Sequence, residues 1–272
     1  MFIYWNNMAV NTVQQKEVDI NLRREGETID DLLGGQLKIL QKKSGYRFSV
    51  DSLLLTHFVQ LKRDDSVIDL GAGGGVILLI LSHRFHCGEM VGVEIQHELA
   101  DMARRSVKMN NLESKIEIVS GDIGEVESLF APQSFNTVIF NPPYRRLNSG
   151  RINPDLEKAV ARHEIKGTLR DFLLSAKHLV KEAGSVYLVY PTVRMVELLF
   201  QMRTCGIEPK RLRMVYSSRF SEGEFLLVEG KKGGGEELKV LPPLFVYQED
   251  GGYTEEMETV FKEISTSPSF SS

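Results

Sequence analysis

A short strand runs into a glycine-rich turn at Val67-Ile68-Asp69-Leu70-Gly71-Ala72-Gly73-Gly74-Gly75. The apolar run Val76–Phe85 that follows is typical of a buried helix. Glycines between a strand and a helix permit a tight turn and let a ligand approach the backbone amides at the helix N-terminus. The pattern therefore predicts a strand–loop–helix unit with a ligand crevice at the loop.

Downstream of this unit, short β-rich runs alternate with longer helical runs, which predicts a parallel sheet covered by helices. Two further β-like runs, Leu212–Ser217 and Glu224–Glu229, have no helical segment between them, which predicts an antiparallel pair. The predicted fold is α/β, with a seven-stranded, mostly parallel sheet that ends in an antiparallel hairpin. The predicted parallel strands are Val67–Leu70, Met90–Val93, Lys115–Val119, Thr137–Phe140 and Ser185–Tyr190.

Upstream of the sheet, Leu37–Gln41 and Tyr46–Phe48 flank Lys42–Gly45, a spacing typical of a small hairpin. A helix is expected from about Asp51 to Leu61. The chain is therefore expected to divide into a tail (1–27), a hairpin-and-helix extension (28–62), the main α/β domain (63–247) and a C-terminal appendage with a tail (248–272).

The composition of the 272 residues, 42% hydrophobic and 26% charged, is that of an ordinary globular protein and argues against a disordered chain or a coiled coil. No apolar run reaches the roughly 18 residues of a membrane-spanning helix. The apolar start Met1–Trp5 lacks the basic flank of a secretory signal. Two cysteines, Cys87 and Cys205, cannot form a disulfide framework. We expect a cytoplasmic protein.

Basic residues concentrate in three windows of a chain whose formal net charge is −4. Each window carries a net charge of +4, and the windows are Leu33–Val50, Arg145–Arg170 and Arg203–Arg219. Segments of this kind can follow the phosphates of a nucleic acid. Solvated basic faces are the alternative interpretation.

Three acidic residues follow predicted strands or precede the glycine turn. Asp69 lies in the predicted strand before the turn, two residues ahead of Gly71. Glu94 lies 23 residues after Gly71, where an acid accepts hydrogen bonds from ribose hydroxyls. A dinucleotide fingerprint requires a sixth-position glycine where this chain has Val76, which disfavours an NAD site. A purely structural glycine turn remains an alternative. For Asp122, the alternative to a ligand contact is the N-cap of a short helix.

The tetrapeptide Asn141-Pro142-Pro143-Tyr144 follows a predicted buried strand. Because prolines have no amide hydrogen, nothing local competes for the Asn141 side chain or the Pro142 carbonyl as acceptors. An exocyclic amino group on a planar substrate needs such acceptors, and an adjacent aromatic ring can stack on the substrate. A plain strand-ending turn is the alternative.

Together these motifs resemble the S-adenosylmethionine (SAM) site of Rossmann-like methyltransferases. The resemblance implies that Gly71 and Gly73 border the methionyl part of SAM, with Asp69 near its ammonium group. It also places Glu94 at the ribose diol and Asp122 at the adenine amino group. The tetrapeptide is similar to the motif shared by N6-adenine, guanine exocyclic-amine and release-factor glutamine methyltransferases, and it leaves the substrate open.

Further segments are similar to the bacterial tRNA(Val) anticodon-loop adenine N6-methyltransferase family. These segments are Thr28–Leu33, Leu37–Gln41, Arg47–Leu55, Ala161–Glu164 and Pro209–Arg213. The resemblance implies methyl transfer from SAM to an adenine amine in RNA, with tRNA as the expected partner. Asn141 and Pro142 would hold the amine and Tyr144 would stack on the base. Arg47 and Asp51 would lie at the cofactor mouth, although a solvent-facing cation and a first-turn helix acid are alternatives.

Further residues are expected to contact the substrate: Lys42, Lys43, Arg145, Arg146 and His163. For His163, capping of the following helix is the alternative. A cluster at His83, His86 and Cys87 lacks a fourth ligand with usable spacing, so no metal site is predicted. A membrane partner is not expected either, and the sequence predicts no oligomeric state.

Other functions compete with this interpretation. A protein glutamine methyltransferase would use the same tetrapeptide, but it is disfavoured because the chain shows no separate N-terminal helical domain for protein recognition. A SAM-binding or RNA-binding module without turnover would keep the glycine turn and basic windows while making Asn141 dispensable. An NAD oxidoreductase is disfavoured by Val76 and by the tetrapeptide.

Overall fold

The computed structural model describes residues 21–44, 47–142 and 167–266. The described strands are β1 (Glu27–Leu32), β2 (Leu37–Lys42), β3 (Val67–Leu70), β4 (Met90–Glu94), β5 (Ile116–Ser120), β6 (Phe135–Phe140), β7 (Val180–Pro191), β8 (Ile207–Tyr216), β9 (Gly223–Lys232), β10 (Lys239–Val240) and β11 (Leu244–Phe245). The described α-helices are α1 (Val50–Phe58), α2 (Val76–Arg84), α3 (His97–Met109), α4 (Val126–Leu129), α5 (Leu169–Leu179), α6 (Met195–Thr204) and α7 (Glu255–Ile264). None of these helices is both long and apolar enough to cross a membrane.

A nine-stranded sheet forms the centre of the described structure, in the order β10-β8-β9-β7-β6-β3-β4-β5, with β11 also paired to β8. The strands from β7 to β5 in this order run parallel, whereas β9 lies antiparallel between β7 and β8. The predicted α/β fold with a mostly parallel sheet is confirmed, and all seven predicted strands belong to the sheet. The count was too low because β10 and β11, each two residues long, add to the edge of β8. Two residues are too few to show the alternation of apolar and polar side chains from which a strand is predicted.

The hairpin upstream of the sheet pairs β1 with β2 in antiparallel register. The predicted pairing of Leu37–Gln41 with Tyr46–Phe48 is wrong, because Phe48 and its neighbour Arg47 lie outside any strand. The chain instead reverses at Gly34 and Gly35, whose φ angles are 67° and 87°. Glycine adopts such angles readily, so this pair is the stronger turn signal. The helix predicted to follow is α1, which ends three residues earlier than expected, at Phe58.

The outer edge of β2 is bonded to the side chains of Ser106 in α3 and of Asn110, which directly follows α3. The Lys38 amide donates to Asn110 Oδ1 at 2.9 Å, and Asn110 Nδ2 donates to the Lys38 carbonyl at 2.6 Å. The Leu40 amide donates to Ser106 Oγ at 3.0 Å. These bonds satisfy backbone groups that an edge strand would otherwise leave unpaired. The hairpin is therefore fixed to the helix that follows β4.

Apolar side chains pack on both faces of the sheet. One cluster joins α1, α2, α3 and α7 to the face that includes Val67 of β3. The other joins α5 and α6 to the face that includes Ile68 and Leu70. Since side chains alternate along a strand, Asp69 points to the face covered by α1 and α2. Helix α7 packs into the first cluster through Met257, so the C-terminal segment shares this core.

Candidate active site

The carboxyl ends of β3 and β6 meet at one edge of the sheet, where the glycine turn and Asn141 lie. Leu70 of β3 pairs with Phe140 of β6, so Gly71 and Asn141 leave neighbouring strands. Neighbouring strands in a sheet are about 4.8 Å apart. Ligands of open α/β sheets bind outside such strand ends. The fold thus brings the two main sequence motifs to one place.

The glycine turn bends on residues with positive φ: Gly71 at 76°, Gly73 at 55° and Gly75 at 82°. Residues other than glycine rarely adopt such backbone angles. A Cβ atom at Gly75 would also lie 3.3 Å from the Cβ atom of Ala103 in α3. These glycines hold the turn tight against α3 and leave the N-terminus of α2 at the strand edge.

Glu94 ends β4 and ties this strand to the glycine turn. One carboxylate oxygen accepts a hydrogen bond from the Gly73 amide and the other from the Gln96 amide, both at 2.8 Å. Burial raises the pKa of Glu94, and the amide hydrogen bonds oppose that rise. A carboxylate oxygen can accept more than one hydrogen bond. Glu94 can therefore also accept hydrogen bonds from ribose hydroxyls, the role predicted from the sequence.

Asp69 is completely buried within the sheet. Among the described residues, neither of its carboxylate oxygens has a hydrogen-bond partner. Burial, and to a lesser extent the charge of Glu94, raises the pKa of Asp69 from 3.8 to about 8. A buried carboxylate without a partner is costly, and a cation at this strand edge would offset that cost. The orphaned carboxyl therefore fits an ammonium group, as the SAM resemblance implies.

The first turn of α1 holds the side chain of Asn141. The Asn141 amide nitrogen donates to Asp51 Oδ2 and to Ser52 Oγ, both at 3.2 Å. Asp51 and Ser52 are 5% and 2% exposed. Pro142, which follows Asn141, is buried as well. Ser52 escaped sequence reasoning because no local pattern links it to a residue 89 positions away.

Asp122 caps a short 3-10 helix after β5. Its side chain accepts a hydrogen bond from the Gly124 amide at 2.8 Å, at the start of Ile123–Glu125. The neighbouring Gly121 amide donates to the Glu94 carbonyl at 3.1 Å, so this turn lies at the same sheet edge as Glu94. The alternative that the sequence left open, an N-cap, is thus present. Contact of Asp122 with an adenine remains a prediction.

Two cations of the hairpin region form ion pairs with carboxylates in the described structure. Arg47 forms an ion pair with Asp30 of β1, and Lys42 forms one with Glu98 of α3. Lys43 is exposed, and no carboxylate among the described residues pairs with its ammonium group. The predicted places of Arg47 at the cofactor and of both lysines at the substrate remain predictions. Four other predicted site residues lie outside the described residues: Tyr144, Arg145, Arg146 and His163.

Several cations of the basic windows are paired with carboxylates, so the windows have fewer unpaired cations than the sequence suggests. In the window Arg203–Arg219, three arginines form ion pairs: Arg203 with Glu208 and Glu236, Arg211 with Glu229, and Arg213 with Glu256. Most of these carboxylates lie outside the window in the chain but beside it in space. The window Arg145–Arg170 lies largely outside the described residues.

The described residues contain no group of three or more His, Cys, Asp or Glu side chains arranged to hold a metal ion.

Comparison with known proteins connects this geometry to a family. The family model of the methyltransferase small domain matches residues 47–202. A Porphyromonas gingivalis protein named tRNA1(Val) (adenine(37)-N6)-methyltransferase is 30% identical over 200 residues, which cover 71% of this chain and 78% of that protein. An Aeromonas salmonicida protein of the same name is 27% identical over 165 residues, which cover 60% of this chain and 67% of that protein.

Solved structures support the same fold. A crystal structure described as a predicted O-methyltransferase from Agrobacterium tumefaciens superposes with a TM-score of 0.64 and 20% identity. The match covers 79% of this chain and 96% of that chain. At this identity the likeness concerns the fold alone.

Proposed function

Because this chain belongs to the methyltransferase small domain family and to the family of tRNA1(Val) (adenine(37)-N6)-methyltransferases, we propose that it methylates the exocyclic amine of an adenine in tRNA. The chain is a SAM-dependent N-methyltransferase. One observation carries the choice of substrate group: Asn141 and Pro142 lie at the strand edge beside the glycine turn. That edge offers hydrogen-bond acceptors for an amine next to a cofactor crevice.

The cofactor crevice lies at the ends of β3, β4 and β5. SAM supplies a methyl group that is already activated on a sulfonium. Asp69 pairs with the ammonium group, Glu94 accepts from the ribose hydroxyls, and Asp122 accepts from the adenine amine. Gly71 and Gly73 let the methionyl part approach the backbone. The buried, unpaired carboxyl of Asp69 and the position of the Glu94 carboxylate beside the Gly73 amide support these assignments.

Asn141 and Pro142 act on the substrate amine. The Asn141 side-chain oxygen and the Pro142 carbonyl accept the two amine hydrogens, which aligns the nitrogen with the methyl group and raises its nucleophilicity. Tyr144 stacks on a flipped or unpaired adenine. As the new carbon–nitrogen bond forms, the bond between the methyl carbon and the sulfonium sulfur would break and leave a neutral thioether, and the amine would lose one proton to solvent.

The choice of tRNA rests on the relatives' names and on the basic residues around the tetrapeptide. Lys43, Arg145 and Arg146 contact phosphates, and His163 orients the substrate loop. Lys42 reaches a phosphate by exchanging its ion pair with Glu98. Such contacts release counterions, so we expect binding to weaken steeply with salt.

We place the protein in the cytoplasm together with its tRNA substrate. Support comes from Cys87 and Cys205, which are both free thiols and suit a reducing compartment.

Incubation with radiolabelled SAM tests the proposed function. The protein is offered total tRNA, ribosomal RNA or a protein extract, and labelled nucleosides are separated after nuclease digestion. We expect label in N6-methyladenosine from tRNA. Label in methylguanosine or in protein glutamine would overturn the proposed substrate, and the Asn141→Ala variant controls for a contaminating enzyme.

A further inference from the structure

The amide of Asn141 has two chemically opposite ends of nearly equal size. Its oxygen accepts hydrogen bonds, and its nitrogen only donates them. A substrate amine that presents N–H groups needs the oxygen. A half-turn of the amide would set donor against donor. The direction in which the amide points therefore decides whether Asn141 can hold the amine.

The contacts in the first turn of α1 impose one direction. The Asn141 nitrogen carries two hydrogens and lies 3.2 Å from two acceptors, Asp51 Oδ2 and Ser52 Oγ. An ionised carboxylate has no hydrogen to donate. A reversed amide would bring the Asn141 oxygen against the Asp51 carboxylate, two acceptors in contact. The carboxylate therefore selects the orientation that turns the amide oxygen away from α1.

Asp51 is itself held in place. Its other carboxylate oxygen accepts hydrogen bonds from the Ser49 hydroxyl and, at 2.8 Å, from the Ser52 amide. The first turn of a helix favours a negative charge. Helix α1 is anchored by the buried Leu54 and Leu55. The carboxylate is thus a fixed reference point beside Asn141, and it is buried.

We infer that Asp51 is a positioning residue, which locks the Asn141 amide with its oxygen toward the substrate amine. The inference rests on the proposed function of Asn141 as an acceptor for that amine. It assigns Asp51 a different role from the cofactor contact that the family resemblance implies. A cofactor contact would act on SAM affinity, whereas a positioning role acts on the transfer step.

The Asp51→Asn variant separates these roles. An asparagine at this position has the same shape but tolerates either orientation of the Asn141 amide. We expect the single-turnover rate with saturating SAM to fall about tenfold to a hundredfold, with SAM affinity within about twofold of wild type. A weaker SAM affinity with an unchanged transfer rate would overturn the inference. Ser52→Ala, which removes only one acceptor, should lower the rate less, and Asp31→Asn on the exposed side of the hairpin is the matched control.

A double-mutant cycle asks whether Asp51 acts through Asn141. In an Asn141→Ala background, the Asp51→Asn change should alter the rate by less than about twofold, because the group that it orients is gone. A full additional loss would mean that Asp51 acts elsewhere. Exchanging the two residues (D51N with N141D) keeps one donor facing one acceptor. It should recover activity relative to N141D alone, in which two carboxylates face each other.

A readout without RNA keeps the inference separate from the proposed function. The side-chain amide signals of Asn141, assigned by their loss in Asn141→Ala, should exchange their hydrogens with solvent at least about tenfold faster in Asp51→Asn than in wild type. Equal exchange rates in both proteins would overturn the inference. If wild type shows protected signals but methylates no adenine, the proposed function fails while the Asp51–Asn141 lock stands.

Discussion

The Gly73 amide donates a 2.8 Å hydrogen bond to the Glu94 carboxylate across 21 residues of chain. This bond joins the turn after β3 to the end of β4, while the second Glu94 oxygen accepts from the Gln96 amide at 2.8 Å. One buried carboxylate thus sets the spacing between two of the loops that surround the crevice. The same carboxylate is the one proposed to accept hydrogen bonds from the ribose hydroxyls of SAM.

Glu94→Gln should weaken SAM binding about tenfold to a hundredfold, since hydrogen bonds to a charged group contribute about 1.5–3 kcal/mol. Both Glu94 oxygens accept from backbone amides, so the amide nitrogen of glutamine would face a donor on one side. Isothermal titration calorimetry measures the effect. Glu117→Gln, an exposed position on β5, is the control. Unchanged SAM affinity in Glu94→Gln would show that the carboxylate only supports the turn.

Asp69→Asn should change how stability depends on pH. The pKa of Asp69 is raised from 3.8 to about 8, so between these values the folded protein keeps a proton that the unfolded chain has released. The contribution of this group to stability therefore decreases as pH rises through this window. Asparagine has no such titration. The Tm of Asp69→Asn relative to wild type should increase from about pH 5 to about pH 8 in thermal melts without cofactor. A constant Tm difference would contradict the buried, unpaired state.

The same substitution should weaken cofactor binding. A carboxylate that pairs with an ammonium group forms a charge-assisted hydrogen bond, about twice as strong as a neutral one. We expect SAM to raise the Tm of wild type clearly and the Tm of Asp69→Asn much less, at equal SAM concentrations. An equal increase in Tm for both proteins would show that Asp69 does not contact the cofactor.

Asn110→Ala should destabilise the hairpin–helix contact. Asn110 bonds both the amide and the carbonyl of Lys38, and leaving partly buried backbone groups unpaired costs about 1–3 kcal/mol. Urea unfolding should show a lower midpoint with little change in slope. Lys108→Ala, an exposed change in the last turn of α3, serves as the control and should leave the midpoint near wild type. A midpoint for Asn110→Ala equal to that of the control would show that β2 does not depend on α3.

Local sequence signals were sufficient for the parallel sheet. The predicted strand Val67–Leu70 matches β3, and the helix predicted after the glycine turn matches α2 within one residue. Both belong to a strand–loop–helix unit whose period and glycines are local properties. The antiparallel strands β8 and β9 were also found, although β8 begins at Ile207, five residues earlier than predicted.

Contacts between distant residues could not be predicted in the same way. The hairpin register depended on choosing Gly34-Gly35 over a second plausible turn. Strand β1 was not predicted, because it carries Asp30 and Asp31 and aspartate is depleted in strands. The hydrogen bond between Asp51 and Asn141 joins residues 90 positions apart, so no periodic pattern in the sequence predicts it. Counting charges along the chain likewise missed the carboxylates that lie beside the basic windows only in the folded protein.

The most direct test compares wild type with Asn141→Ala in single-turnover methylation of tRNA at saturating SAM, together with SAM affinity for both proteins. The account predicts that SAM affinity stays within about twofold while the rate of N6-methyladenosine formation falls at least about a hundredfold. The side chain then acts on the amine and not on the cofactor. Methylation at the wild-type rate by Asn141→Ala would contradict the account.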